Sequence, residues 1–133
     1  MVGDSGIVYA IDRWDELTDK VEERVKKQNC HNVKVIKADI VTALPLEDNS
    51  IDVCFMAQVL HGFASSKDIE KIFTGIRRVL KPGGRIAIIE FKKKEMGFGP
   101  PMPVRMLPEE IEHRVAPHGF KKNNLIDFQY SYM

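Results

Sequence analysis

The sequence is poor in the features that would settle a class at once. Its 133 residues include only two cysteines and one tryptophan, and neither sign of charge dominates, with 20 Lys and Arg against 19 Asp and Glu. Such a balance leaves no basic surface that would call for nucleic acid. Cys30 and Cys54 stand far apart and match no metal-ligand spacing. They read as reduced thiols in a cytoplasmic protein, with Cys54 a small buried thiol inside an apolar run. No apolar run approaches the roughly 20 residues that cross a bilayer, and no basic-then-apolar leader opens the chain, so neither membrane nor secretion is expected. Internal repeats and any sign of a second domain are lacking. A glycine-rich turn between a strand and a helix is lacking too. Gly83-Gly84 precedes a strand, and so offers no helix N-terminus to an anion.

What is there is an alternation of strand and helix patterns, with an apolar share of 44% that suffices for one packed domain over residues 1–133. Residues 7–12 form a short apolar run ending in Asp12, as a buried parallel strand does. Trp14, Leu17, Val21 and Val25 recur at helical spacing over about residues 14–28. A second strand spans 33–39 and ends in Asp39; a third, buried strand spans 51–57. Ser65 and Ser66 can cap a helix whose apolar face is Ile69, Ile72, Phe73, Ile76, Val79 and Leu80, and Lys81-Pro82-Gly83-Gly84 ends it. Residues 85–91 make a fourth strand. Residues 92–107 read as a loop with no packing pattern. Pro108 can open a helix that Gly119 closes; 120–128 read as a further strand, and 130–133 as the start of another. The pattern predicts an α/β sheet, mostly parallel, with helices on its faces.

Ligands of such sheets lie beyond the carboxyl ends of the strands. That rule selects Asp12, Asp39 and the segment after Ala57. Asp12 can accept from both hydroxyls of a ribose, or it can cap the following helix. Asp39 can accept the amino hydrogens of a purine beside the Ile40 N–H, or simply form a turn. Trp14 can stack on a base or pack as helix core. His61 can act as a general base or pack on a short helix. Lys92, Lys93 and Lys94 read as a solvated loop before an anion site, and Asp52 as turn chemistry.

Five segments together resemble a known family: "GIVYAID" at 6–12, "VIKADI" at 35–40, "LPLEDNSIDVCFMAQVLHGF" at 44–63, "IRRVLKPGGRIAIIEF" at 76–91 and "HGFKKNNLIDFQYSYM" at 118–133. Their order and spacing resemble class I S-adenosylmethionine-dependent methyltransferases, above all the quinone-biosynthesis branch. "RVLKPGG" is the most specific piece. The resemblance implies a Rossmann-like three-layer fold and S-adenosylmethionine as cofactor. It places Asp12 on the ribose, with Arg13 and Trp14 beside it. Asp39 falls on the adenine amine with Ile40 against the ring, and Ala57, Gln58 and Val59 at the methionine end. His61 is the candidate catalytic base near a small-molecule methyl acceptor.

The family pattern opens with a helix, a strand and a glycine-rich turn that have no counterpart in this sequence. The expectation is a partial sheet without its central strand, weak cofactor binding by this chain alone, and strand edges that favour self-association. Two other functions compete: a non-catalytic module that pairs with another chain, and a nicotinamide-binding Rossmann domain, which Asp12 alone would also suit.

Overall fold

Strand and helix patterns alternate along the chain, and the computed structural model, which describes residues 2–63 and 65–133, follows that alternation. It divides into two compact units, Met1–Pro45 and Leu46–Met133.

The first unit is strand, helix, strand: β1 (Val8–Asp12), α1 (Asp15–Lys27) and β2 (Val33–Lys37). β1 and β2 pair in parallel from Val8 opposite Val33 to Asp12 opposite Lys37. α1 carries Asp15 and Glu16 in its first turn and Arg24, Lys26 and Lys27 in its last, each sign at the end where the helix dipole favours it. It ends where Asn29 turns left-handed at φ +52°, while the Cys30 N–H donates to the Val25 carbonyl. The expected apolar stripe of α1 does not form a core. Trp14 is 58% exposed, and Leu17 and Val21 are exposed with it; only Thr18 of this helix is buried. Trp14 is therefore not a core residue.

The second unit holds β3 (Ile51–Ala57), α2 (Ser66–Val79), β4 (Leu80–Phe91), α3 (Pro108–Val115) and β5 (Ser131–Tyr132). α2 buries Ile69, Ile72, Phe73, Ile76 and Val79, the stripe its spacing predicts. Ser65 occupies its N-cap, but through its backbone. The Ser65 carbonyl accepts from the Asp68 and Ile69 N–H groups, and no side-chain cap bond forms. At the other end, the Asp48-Asn49-Ser50 turn covers the last carbonyls. Asn49 is left-handed, its N–H donates to the Arg78 carbonyl, and the Ser50 N–H donates to the Val79 carbonyl. β3 and β4 pair in parallel and β4 and β5 antiparallel, in the order β3-β4-β5. Most paired residues are thus parallel, as expected, but the ladders form two sheets, β1-β2 and β3-β4-β5, rather than one.

Four expectations need correction. β4 starts at Leu80, not at residue 85. Its register jumps from Leu80 opposite Ile51 to Arg85 opposite Val53, so Lys81–Gly84 bulges out of the ladder. Gly83 takes φ +78° there, and a Cβ on Gly84 would meet the Lys81 carbonyl at 2.9 Å. Residues 120–128 are not a strand; only Asp127 bridges, to Tyr132, within a tight turn in which the Phe128 N–H donates to the Ser131 carbonyl. The segment 92–107 is not patternless, because Met106 and Arg105 are buried. Finally, β3 is buried on one face only: Val53 and Phe55 are exposed while Met56 is 5% exposed. No helix among the described residues is long and apolar enough to cross a membrane.

Candidate functional site

In the first unit, the parallel register brings two acidic strand ends side by side. The Ala38 N–H, just past β2, donates to the Asp12 carbonyl at 2.9 Å, so Asp12 and the residue before Asp39 are hydrogen-bonded neighbours. Each carboxylate uses Oδ1 in the same way. Asp12 Oδ1 accepts the Trp14 N–H at 2.9 Å, and Asp39 Oδ1 accepts the Val41 N–H at 2.9 Å. Both are turns closed two residues on, the structural role open to any Asp at such a place. One oxygen of each carboxylate is committed by these bonds. Asp39 Oδ2 faces Arg13 at 3.9 Å, and the Arg13 guanidinium lies 4.8 Å from the centre of the Trp14 ring. Asp12, Arg13, Trp14 and Asp39 thus form one connected cluster, with Ile40 next in the chain and half-buried.

In the second unit, the chain leaves β3 through Ala57, Gln58 and Val59. Gln58 is left-handed at φ +56°, a conformation costly for a residue with a Cβ. Its N–H still donates to the Ile89 carbonyl at 2.7 Å, so the turn is locked onto β4. A short 3-10 turn, Leu60–Gly62, follows. It carries His61, whose side chain is 21% exposed.

Sequence reasoning missed Glu90. It lies in β4 and is 1% exposed. Its Oε1 accepts the Leu60 N–H at 2.7 Å, and its Oε2 lies 2.9 Å from His61 Nδ1. The signal was a single acid inside the apolar run Ile86-Ala87-Ile88-Ile89-Glu90-Phe91, since a buried carboxylate needs partners to offset lost hydration. Tyr132 pairs with Glu90 across the β4-β5 ladder and donates its hydroxyl to the Met106 carbonyl at 2.8 Å. Burial, and then the Glu90 charge, hold the Tyr132 phenol well above its ordinary range. Burial likewise pushes the Cys54 thiol up to about 11.

The prolyl loop after β4 is organised around Arg105, which is 5% exposed. Its guanidinium donates to the carbonyls of Pro100 (2.7 Å), Lys94 (2.6 Å), Phe98 (3.0 Å) and Lys92 (3.3 Å). Lys92 and Lys93 are not simply solvated: Lys92 pairs with Asp127, and Lys93 with Glu110 at 3.4 Å. Lys94 donates to the Gln129 carbonyl at 2.6 Å. Asp52 lies within β3 and holds Lys81 at 2.8 Å beside the bulge, an ion pair rather than the turn chemistry expected of it.

Comparison with known proteins bears on the family and the fold. Residues 2–88 match the family model of a methyltransferase domain. A 2-phytyl-1,4-naphtoquinone methyltransferase of Nostoc punctiforme is 34% identical over 93 residues, covering 69% of this chain and 39% of the relative. The ubiquinone/menaquinone biosynthesis C-methyltransferase UbiE of an Enterobacter species is 35% identical over 94 residues, 70% of this chain and 36% of its own length. This chain therefore spans less than half of either relative. Among solved structures, a SAM dependent methyltransferase from Aquifex aeolicus superposes with a TM-score of 0.89 at 32% identity, over 99% of this chain and 69% of that one. The fold is Rossmann-like α/β, and the chain belongs to the methyltransferase domain family.

Proposed function

We propose that this domain serves methyl transfer from S-adenosylmethionine to a small-molecule acceptor. The observation that carries the reading is the pair of carboxylates, Asp12 and Asp39, at the carboxyl ends of two adjacent parallel strands. Such a position suits the nucleoside part of a cofactor. The donor set fits that part: each Asp keeps acceptor capacity beyond the Oδ1 bond it makes, and Trp14 offers an exposed aromatic face. Asp12 would take the ribose hydroxyls and Asp39 the adenine amine, with Arg13, Trp14 and Ile40 flanking them. Ala57, Gln58 and Val59 would hold the methionine end. When bound, the cofactor supplies a methyl group already made electrophilic by a sulfonium, so the protein's part is alignment and proton removal. His61 would take the acceptor's proton. The two curated relatives are named for naphthoquinone and ubiquinone or menaquinone methylation, and a quinol ring is the first acceptor class to try. A nicotinamide cofactor is disfavoured by membership in the methyltransferase family.

The test uses the single tryptophan as reporter. Titrating S-adenosylhomocysteine into the 133-residue chain, to the high concentrations that weak binding requires, should change Trp14 fluorescence, and NAD should not. Asp12→Ala should weaken the response by about tenfold or more, because charge-assisted bonds are worth about 1.5–3 kcal/mol each. An equal response to both ligands, or an unchanged affinity in Asp12→Ala, would reduce the carboxylate to a turn former.

A further inference from the structure

The carboxylate of Glu90 is divided between two partners, and the division has a chemical consequence. Glu90 is 1% exposed, on a strand whose neighbouring residues Ile88 and Ile89 are apolar. The backbone N–H of Leu60, a residue that is itself fully buried, occupies Oε1 at 2.7 Å. His61 Nδ1 lies 2.9 Å from Oε2. A carboxylate only accepts, so the neutral imidazole must present Nδ1–H to it, which leaves the lone pair on Nε2. The Phe91 ring, 6.1 Å from the imidazole and steeply tilted to it, bounds the ring on a further side.

We infer that Glu90 is the positioning residue of His61, holding the ring as the Nδ1–H tautomer so that Nε2 is the nitrogen able to accept a proton. This rests on the reading of His61 as acceptor-side base. In that role the O–H bond of an acceptor hydroxyl breaks, its electron pair stays on oxygen, and the proton joins the Nε2 lone pair. The resulting imidazolium is balanced by the carboxylate on Nδ1. The oxygen that faces His61 has its orientation enforced from behind, because the Leu60 N–H keeps the carboxyl group from turning.

The geometry makes the effect of Glu90→Gln sharp. The Leu60 N–H still demands an acceptor, so the amide oxygen must stay on it and the amide NH2 must face His61. A donor there pairs with an Nδ1 lone pair and drives the proton to Nε2. The experiment is 15N–1H correlation NMR of the imidazole in the 133-residue chain, with the tautomer ratio read from the neutral form of the ring. The wild type should show Nδ1 as the protonated nitrogen by at least about tenfold, as a charge-assisted bond implies, and Glu90→Gln should invert the ratio. Wild type with the proton on Nε2 would mean that Glu90 itself holds a proton and donates it to the ring, and would overturn the inference. So would an unchanged tautomer in Glu90→Gln. If that variant loses its native spectrum, the wild-type ratio alone decides. Neither cofactor nor acceptor is present in this measurement. It can therefore fail while S-adenosylhomocysteine still binds, and hold while it does not.

Discussion

Gln58 shows how one residue can carry strain at a strand end. Its φ of +56° places a full side chain in the left-handed region, which costs roughly 1–2 kcal/mol outside glycine. The N–H bond to the Ile89 carbonyl and the buried Leu60 two residues on keep it there. Strain of this kind persists where the surroundings over-determine it, and it collects at binding sites. Gln58→Gly should therefore keep or raise thermal stability, by up to about 1 kcal/mol, since glycine gives back part of the gain as unfolded-state entropy. If Gln58 serves the methionine end of a cofactor, the same variant should bind S-adenosylhomocysteine less well. Lower stability in thermal melts would show that the Gln58 side chain, not its backbone, holds the turn. The strand-end acids Asp12 and Asp39 were legible in the sequence because one topological rule points to them. Glu90 was not, because a lone acid in an apolar run shows that partners are needed but not which residues supply them. Leu60 and His61 lie thirty and twenty-nine positions away.

At the scale of elements, legibility follows burial. α2 was readable because Ile69, Ile72, Phe73, Ile76 and Val79 recur at helical spacing and are all buried. Leu125, Ile126 and Phe128 suggested a strand, yet all three are exposed, and the segment is held by main-chain bonds to residues 131 and 133 instead. The loop after β4 was opaque for the opposite reason. Its order comes from a cation bound to main-chain carbonyls, which leaves no pattern in side-chain type. Arg105 spreads four donor contacts over Lys92, Lys94, Phe98 and Pro100, and its guanidinium lies 5.9 Å from the Phe91 ring centre. A lysine keeps the charge but not the planar fork. Arg105→Lys should leave at least one part-buried carbonyl without its donor, at about 1 kcal/mol each. The loop should then open locally before the rest of the unit unfolds. Trypsin should cut faster after Lys92, Lys93 or Lys94 in the variant than in the wild type, while the α2 amides keep their hydrogen-exchange protection. Equal cleavage rates would mean that the Lys92–Asp127 and Lys93–Glu110 pairs suffice to close the loop.

For the molecule as a whole, the balance between covered and uncovered apolar surface sets its behaviour in solution. The second unit packs α2 and α3 residues into a core, but β3 ends its sheet and turns Val53 and Phe55 outward at 58% and 61% exposure. The two residues alternate along the strand and so share a face. Asp52, the acid within β3, is paired with Lys81 and stands at the bulge rather than in the middle of the strand. It is therefore poorly placed to guard the edge. An edge strand with an apolar face and no central charge favours pairing with a second copy. The expected outcome is reversible self-association through β3. Light scattering over a concentration series should give a mass that rises above 15.2 kDa. Phe55→Lys should weaken the association by at least about tenfold, because burying a Phe side chain contributes about 1.5–3 kcal/mol. A lysine at that position also supplies the edge charge that β3 lacks. The substituted side chain is exposed, so the variant's thermal stability should stay within about 0.5 kcal/mol of wild type. That separates an effect on association from one on folding. A constant mass near 15.2 kDa at every concentration would show that β3 keeps its edge to itself. An unchanged association in Phe55→Lys would move the contact to another surface, with the exposed Trp14 and the exposed Leu17 and Val21 of α1 next to be tested.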